Sequence, residues 1–227
     1  MKKLQLLITI LLVSIVSCTK KNQDIVAIDV LLTVPEPVYN KAVELNHAIL
    51  RNNSDNFTLD EQHIPHITLL QGYVLKKDLA IIEKNLMEKL ISLEPLELQI
   101  DSLEYNADQS QSFASLGIEK NEALMQLHEN IITILKSYLL SDAPQSAYVA
   151  NEDGSPIDDF TIAYVPKFVS DHSYSNFNPH ISLGVADSKL LDSMARNLRK
   201  QPFKPANISV YQLGNYGTAR KKLFKFK

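Results

Sequence analysis

The stretch 25–34 (Ile25-Val26-Ala27-Ile28-Asp29-Val30-Leu31-Leu32-Thr33-Val34) is mainly apolar with just enough alternation for a strand, and Pro35 and Pro37 close it. Over 38–51 the spacing changes. Val38, Ala42, Val43, Leu45, Ala48 and Ile49 recur at helical intervals, and the polar stretch 52–56 ends that helix in a loop. A second strand is expected over 64–74 and an amphipathic helix over 77–92, with Leu79, Ile82, Leu86 and Leu90 on one stripe. Strands follow over 96–105 and 112–119 around a polar turn, then a helix over 121–140. The second half predicts a long acidic loop over 141–159, a strand over 160–165, a strand over 179–185, a helix over 188–199, and strands over 208–213 and 218–226. Strand, helix and strand surround one short motif in each half, which predicts an α+β protein of two related lobes around a central cleft.

That motif is Pro65-His66-Ile67-Thr68-Leu69, repeated as Pro179-His180-Ile181-Ser182-Leu183. On a strand, residues two apart share a face, so His66 with Thr68 and His180 with Ser182 look out of the sheet while the aliphatic residues face the core. A single histidine in a strand is more often structural than catalytic. Two like pentapeptides in a chain with six histidines make a functional pair the better reading. Opening a cyclic phosphodiester needs one proton removed and one supplied on opposite sides of phosphorus, and imidazole serves either role near neutral pH. Hydroxyls beside the rings can donate to the non-bridging phosphate oxygens.

The two His-x-Thr/Ser motifs, half a domain apart, resemble those of the 2H (two-histidine) phosphoesterases, which include 2′-5′ RNA ligase-like proteins and cyclic nucleotide phosphodiesterases. The resemblance covers residues 25–227. It implies a bilobal, internally duplicated α+β fold, catalytic His66 and His180, phosphate-binding Thr68 and Ser182, a small nucleotide or RNA-fragment phosphodiester as ligand, and neither metal nor other cofactor.

Arg220 beside Lys221 and Lys222 could approach the phosphate from the last strand, and Tyr164 and Phe177, with Tyr174 and Tyr216, could flank the cleft and stack on a base. A basic stretch near a C-terminus is usually a solvated face, and strand aromatics are usually core. His63 lies three residues before His66, which on one continuous strand would put it on the opposite face and count against a metal site formed with His47. His47, His128 and His172 read as structural or surface residues, and Glu152, Asp153, Asp158 and Asp159 as solvent-facing.

The N-terminus changes the setting. Lys2 and Lys3 precede thirteen mostly apolar residues, 4–16, too few at about 1.5 Å each to cross about 30 Å of hydrocarbon, so 1–17 reads as a cleaved export signal. Ile15-Val16-Ser17-Cys18 resembles a bacterial lipobox, making Cys18 the expected lipidation site, 18–24 a tether, and the cell envelope the expected location. As the single cysteine it also excludes an intrachain disulfide. Loss of Lys2 and Lys3 takes the formal charge from −3 to −5, which argues against a broad nucleic-acid surface. Two other functions remain open: a lipid-anchored binding protein for nucleotides or other phosphorylated ligands, and a metal-dependent hydrolase using His63, His66 and His180.

Overall fold

A computed structural model describes residues 24–90 and 96–226; the expected export signal and Cys18 lie outside them. The strands form two four-stranded antiparallel sheets. β1 (Ile25–Thr33), β2 (His66–Leu75), β7 (Asn207–Leu213) and β8 (Ala219–Phe226) make the first, in the order β2-β1-β7-β8. β3 (Leu98–Glu104), β4 (Gln111–Ile118), β5 (His180–Asp187) and β6 (Gln201–Phe203) make the second, in the order β5-β4-β3-β6. The lobes therefore do not coincide with the halves of the chain. β3 leaves the first half to pair with β4, and β7 and β8 leave the second half to join β1, so each sheet is built from both halves of the chain.

α1 (Glu36–Asn52), α2 (Leu79–Leu90), α3 (Glu122–Leu135) and α6 (Ser188–Asn197) match the predicted helices, with α2 followed only as far as Leu90. α1 buries Val38, Ala42, Asn46 and Ile49, one stripe at helical spacing with a polar residue in its middle. One hydrophobic core runs through both sheets, from Val30 and Ile67 to Leu116 and Ile181. Among the described residues no helix is long and apolar enough to cross a membrane.

Two elements depart from the sequence reading. Residues 160–165, whose Phe, Thr, Ile, Tyr and Val suggest a strand, form α4 (Asp159–Tyr164), a 3₁₀ turn and α5 (Phe168–Asp171). Asp158 is the reason: its carboxylate accepts from Thr161 N at 2.8 Å and from Thr161 Oγ1 at 2.6 Å, capping the helix start. Strand propensity yields to that cap and to the packing of Val165 and Phe168. Asp158 is thus not simply a solvent-facing loop residue. The other departure is β6, three residues with Pro202 at the centre, which pairs only with β3 at the sheet edge, where a proline is tolerated.

β2 and β5 are both edge strands, and their open edges are covered. Leu140 N donates to Tyr73 O at 2.9 Å beside β2. Along β5 the end of α1 and the polar loop after it stand in for a strand: Asn56 accepts from Val185 N at 2.6 Å and donates to Val185 O at 2.9 Å, and Asn52 accepts from Asp187 N at 3.0 Å.

Candidate active site

The two pentapeptides are built alike down to their irregularities. His66 opens β2 opposite Thr33, Thr68 lies opposite Leu31, and the ladder then skips Leu69. His180 opens β5 opposite Gly117, Ser182 lies opposite Ser115, and the ladder skips Leu183. A bulge at the fifth residue of each copy keeps Leu69 and Leu183 buried while the His and hydroxyl positions stay half-buried. The carbonyl of each bulged leucine is held by a buried side chain from the helix of the other repeat. Asn46 of α1 donates to Leu183 O at 2.8 Å, and His128 of α3 meets Leu69 O through Nδ1 at 2.8 Å. A carbonyl only accepts, so His128 Nδ1 carries a proton; its Nε2 accepts from Tyr174 N at 3.1 Å, and its ring stacks on Phe177 at 3.8 Å.

The same reasoning fixes both motif histidines. His66 Nδ1 lies 2.7 Å from Ile64 O and His180 Nδ1 lies 2.8 Å from Asn178 O, so each Nδ1–H donates to the carbonyl preceding the motif proline. The proline restricts that preceding residue to extended backbone. Among the described residues His180 Nε2 then has no hydrogen-bond partner, whereas His66 Nε2 faces a carboxylate. His66, Thr68, His180 and Ser182 all line one cavity of about 820 Å³ between the lobes.

What stands behind the two histidines differs. Asp29, fully buried on β1, lies 3.4 Å from His66 Nε2 and accepts from Thr68 Oγ1 at 2.9 Å and Gln71 Nε2 at 3.0 Å. Burial of His66 disfavours its charged form, but the hydrogen-bonding and charge of Asp29 outweigh it and raise the His66 pKa above the usual histidine value. Among the described residues no carboxylate pairs with His180, and Ser182 Oγ makes no hydrogen bond. Thr68, by contrast, already spends its proton on Asp29. Asp29 escaped the sequence reading, although a carboxylate amid nine strand residues, on the face of Ala27, Leu31 and Thr33, was its visible signal.

Tyr164 and Phe177 line the cavity, as does Tyr216. Tyr164 stacks on His172 at 4.3 Å and on Phe160 at 5.5 Å, and burial, with the charge of Asp29, pushes its hydroxyl up to about 12. Tyr174 does not line the cavity; it packs on His128. Arg220 is not a lining residue either: only 15 % exposed, it reaches His63 Nε2 at 2.9 Å and Glu152 at 3.5 Å. His63 corrects the alternation argument. It precedes β2 rather than lying on it, so it lines the same cavity as His66 and is no bystander. Its pKa is lowered, by burial first and by Arg220 second.

The profile of the 2′-5′ RNA ligase superfamily matches residues 35–218. The chain belongs to that superfamily. No curated protein matches it. Among solved structures, TT0787 of Thermus thermophilus is 16% identical, with 88% of this chain and 96% of that one covered at a TM-score of 0.52, and carries the same fold. Escherichia coli LigT complexed with NADP+ is 14% identical over 89% and 97% at a TM-score of 0.44. Usb1 of Kluyveromyces marxianus is 13% identical over 89% and 98% at 0.38.

Proposed function

We propose that this superfamily member is a metal-independent phosphodiesterase that opens 2′,3′-cyclic or related small phosphodiesters of nucleotides or RNA ends by two-histidine acid–base catalysis. One observation carries the reading: two imidazoles, each with Nδ1 committed to a backbone carbonyl, line a single cavity. Asp29 then separates their roles. His180 Nε2 takes a proton from water as its oxygen attacks phosphorus, and His66 Nε2–H gives a proton to the departing ester oxygen as the P–O bond breaks. Water adds across that bond, leaving a monoester and a free hydroxyl; proton exchange with solvent restores His66 and His180. Ser182 donates to a non-bridging oxygen in the transition state, and Thr68 helps hold Asp29 beside His66.

Turnover of cyclic mononucleotides and short oligonucleotides ending in cyclic phosphate, with product position read by phosphorus NMR, tests this. Unchanged rates in excess chelator are expected; near-complete loss would favour a metal-dependent hydrolase, although His63, His66 and His180 form no ligand cluster among the described residues. No turnover of any compound would leave the binding-protein reading.

We also propose that Cys18 is lipidated and holds the domain to a membrane of a bacterial envelope by the 18–24 tether. Cys18→Ala should leave unprocessed precursor and abolish labelling by a palmitate analogue; equal labelling of the variant would refute the anchor.

A further inference from the structure

A cavity that binds phosphate by charge is lined with lysine or arginine. This one is not. Among its lining residues the single group of fixed charge is a carboxylate, Asp55. The charged groups that touch the lining are also mostly acidic. Asp29 contacts His66 and Thr68, Asp60 lies 3.6 Å from His63, and Asp158 accepts from Thr161 and from Tyr216 N at 2.9 Å. The guanidinium of Arg220 touches the lining at His63 and has Glu152 beside it. Even with His66 protonated, carboxylates outnumber cations around the cleft. The mouth is aromatic instead: Phe113, Phe160 and Tyr216, 47%, 72% and 66% exposed, all line the cavity. Exposed rings stack on flat groups at little cost in desolvation. A second phosphate would meet ring faces and carboxylates where it needs donors and cations.

We infer that the site selects a phosphodiester whose only negative charge is at the reacting phosphorus, flanked by a base or another ring, and discriminates against substrates carrying further phosphates. This rests on the phosphodiesterase reading and narrows its substrate class. The single charge is then met by hydrogen bonds from Ser182 and by the proton on His66, with no surplus cation to hold the product.

The test compares adenosine 2′,3′-cyclic phosphate with its 5′-phosphorylated derivative on the purified full chain at low salt. The 5′-phosphate should lower kcat/KM about tenfold, the size expected of about one net unit charge at roughly 9 Å through a half-solvated cavity. The gap should narrow as salt screens the repulsion, and Asp55→Asn should reduce it further. Equal or faster turnover of the 5′-phosphorylated compound at low salt overturns the inference while leaving the phosphodiesterase reading intact. If neither compound is turned over, that reading fails, and the ranking is read from binding by calorimetry. Tighter binding of adenosine 3′-phosphate than of adenosine 3′,5′-bisphosphate supports charge selection, and the reverse order overturns it.

Discussion

The two motif strands share a proline, a histidine tied by Nδ1 to the carbonyl two residues before it, a hydroxyl, and a bulged leucine, yet only β2 has a carboxylate behind it. In β2, Asp29 gathers His66, Thr68 and Gln71 into a buried polar cluster whose other oxygen, Oδ1, finds no partner among the described residues. In β5 the corresponding face carries Ser182 with an uncommitted hydroxyl. A duplicated backbone thus ties two imidazoles alike through Nδ1, while one buried carboxylate raises the pKa of His66. Acid–base catalysis of a displacement needs one group that gives a proton and one that takes it.

The largest effect should come from removing either ring. His66→Ala and His180→Ala should each lose on the order of a hundred- to ten-thousandfold in kcat/KM. The residual profiles should differ. If His180 is the base and His66 the acid, His180→Ala flattens the acidic limb of the pH–rate bell and His66→Ala the alkaline limb. Exchanged limbs would show that Asp29 does not set the roles.

The hydroxyls come next. Ser182→Ala removes a free donor and should cost about a hundredfold, mainly in kcat, as losing a transition-state donor does. Thr68→Ala removes a group already turned to Asp29 and should cost less than tenfold. Equal losses at saturating substrate would mean that Thr68 releases Asp29 when phosphate binds.

Asp29→Asn tests the asymmetry itself. The pKa of His66 is raised by Asp29, so its charged form is favoured up to the folded pKa and lost above it. Without the carboxylate that pKa falls, and the alkaline limb of kcat/KM should move to lower pH while the acidic limb stays. Loss of a carboxylate that orients an imidazole costs on the order of tenfold at metal sites, and a similar loss above neutral pH is expected here. The stabilising share of the Asp29–His66 pair is full below the unfolded histidine pKa of about 6.5 and fades as pH rises through the raised value. An unmoved alkaline limb would assign it to another group.

Much of this comparison was legible in the sequence, and the part that was not has a physical reason. Identical residues at 65–67 and 179–181 announce both strands and both histidines because strand alternation is local. Asp29 could be seen as a charge within an apolar run, but its place behind His66 depends on a register set by the Leu69 bulge, which no local pattern encodes. The crossing of β3 into one lobe and of β7 with β8 into the other is invisible for the same reason: pairing is long-range. His63 is misplaced when strand alternation is carried three residues too far back. Tyr164 lines the cleft from a helix rather than a strand, because the Asp158 cap starts α4 there.

The smallest effect on turnover, and the finest test of whether the two motifs act as separate parts, comes from the residues behind the bulges. Asn46 holds Leu183 O and also bonds Phe57 O at 3.0 Å and Leu59 N at 2.9 Å; His128 holds Leu69 O and Tyr174 N. Burial lowers the pKa of His128, consistent with a neutral ring that donates from Nδ1 and accepts at Nε2. Asn46→Ala and His128→Ala each strand buried backbone groups and should each cost about 1–3 kcal/mol in chemical denaturation. Turnover should fall only a few-fold, because neither side chain touches the cavity. If each holds its own strand, the losses in the double variant should add within about 0.5 kcal/mol. A coupling well beyond that would mean that β2 and β5, although in different sheets, yield as one unit. Phe177 is the reason to look for it, since it stacks on His128 and immediately precedes Asn178, whose carbonyl orients His180.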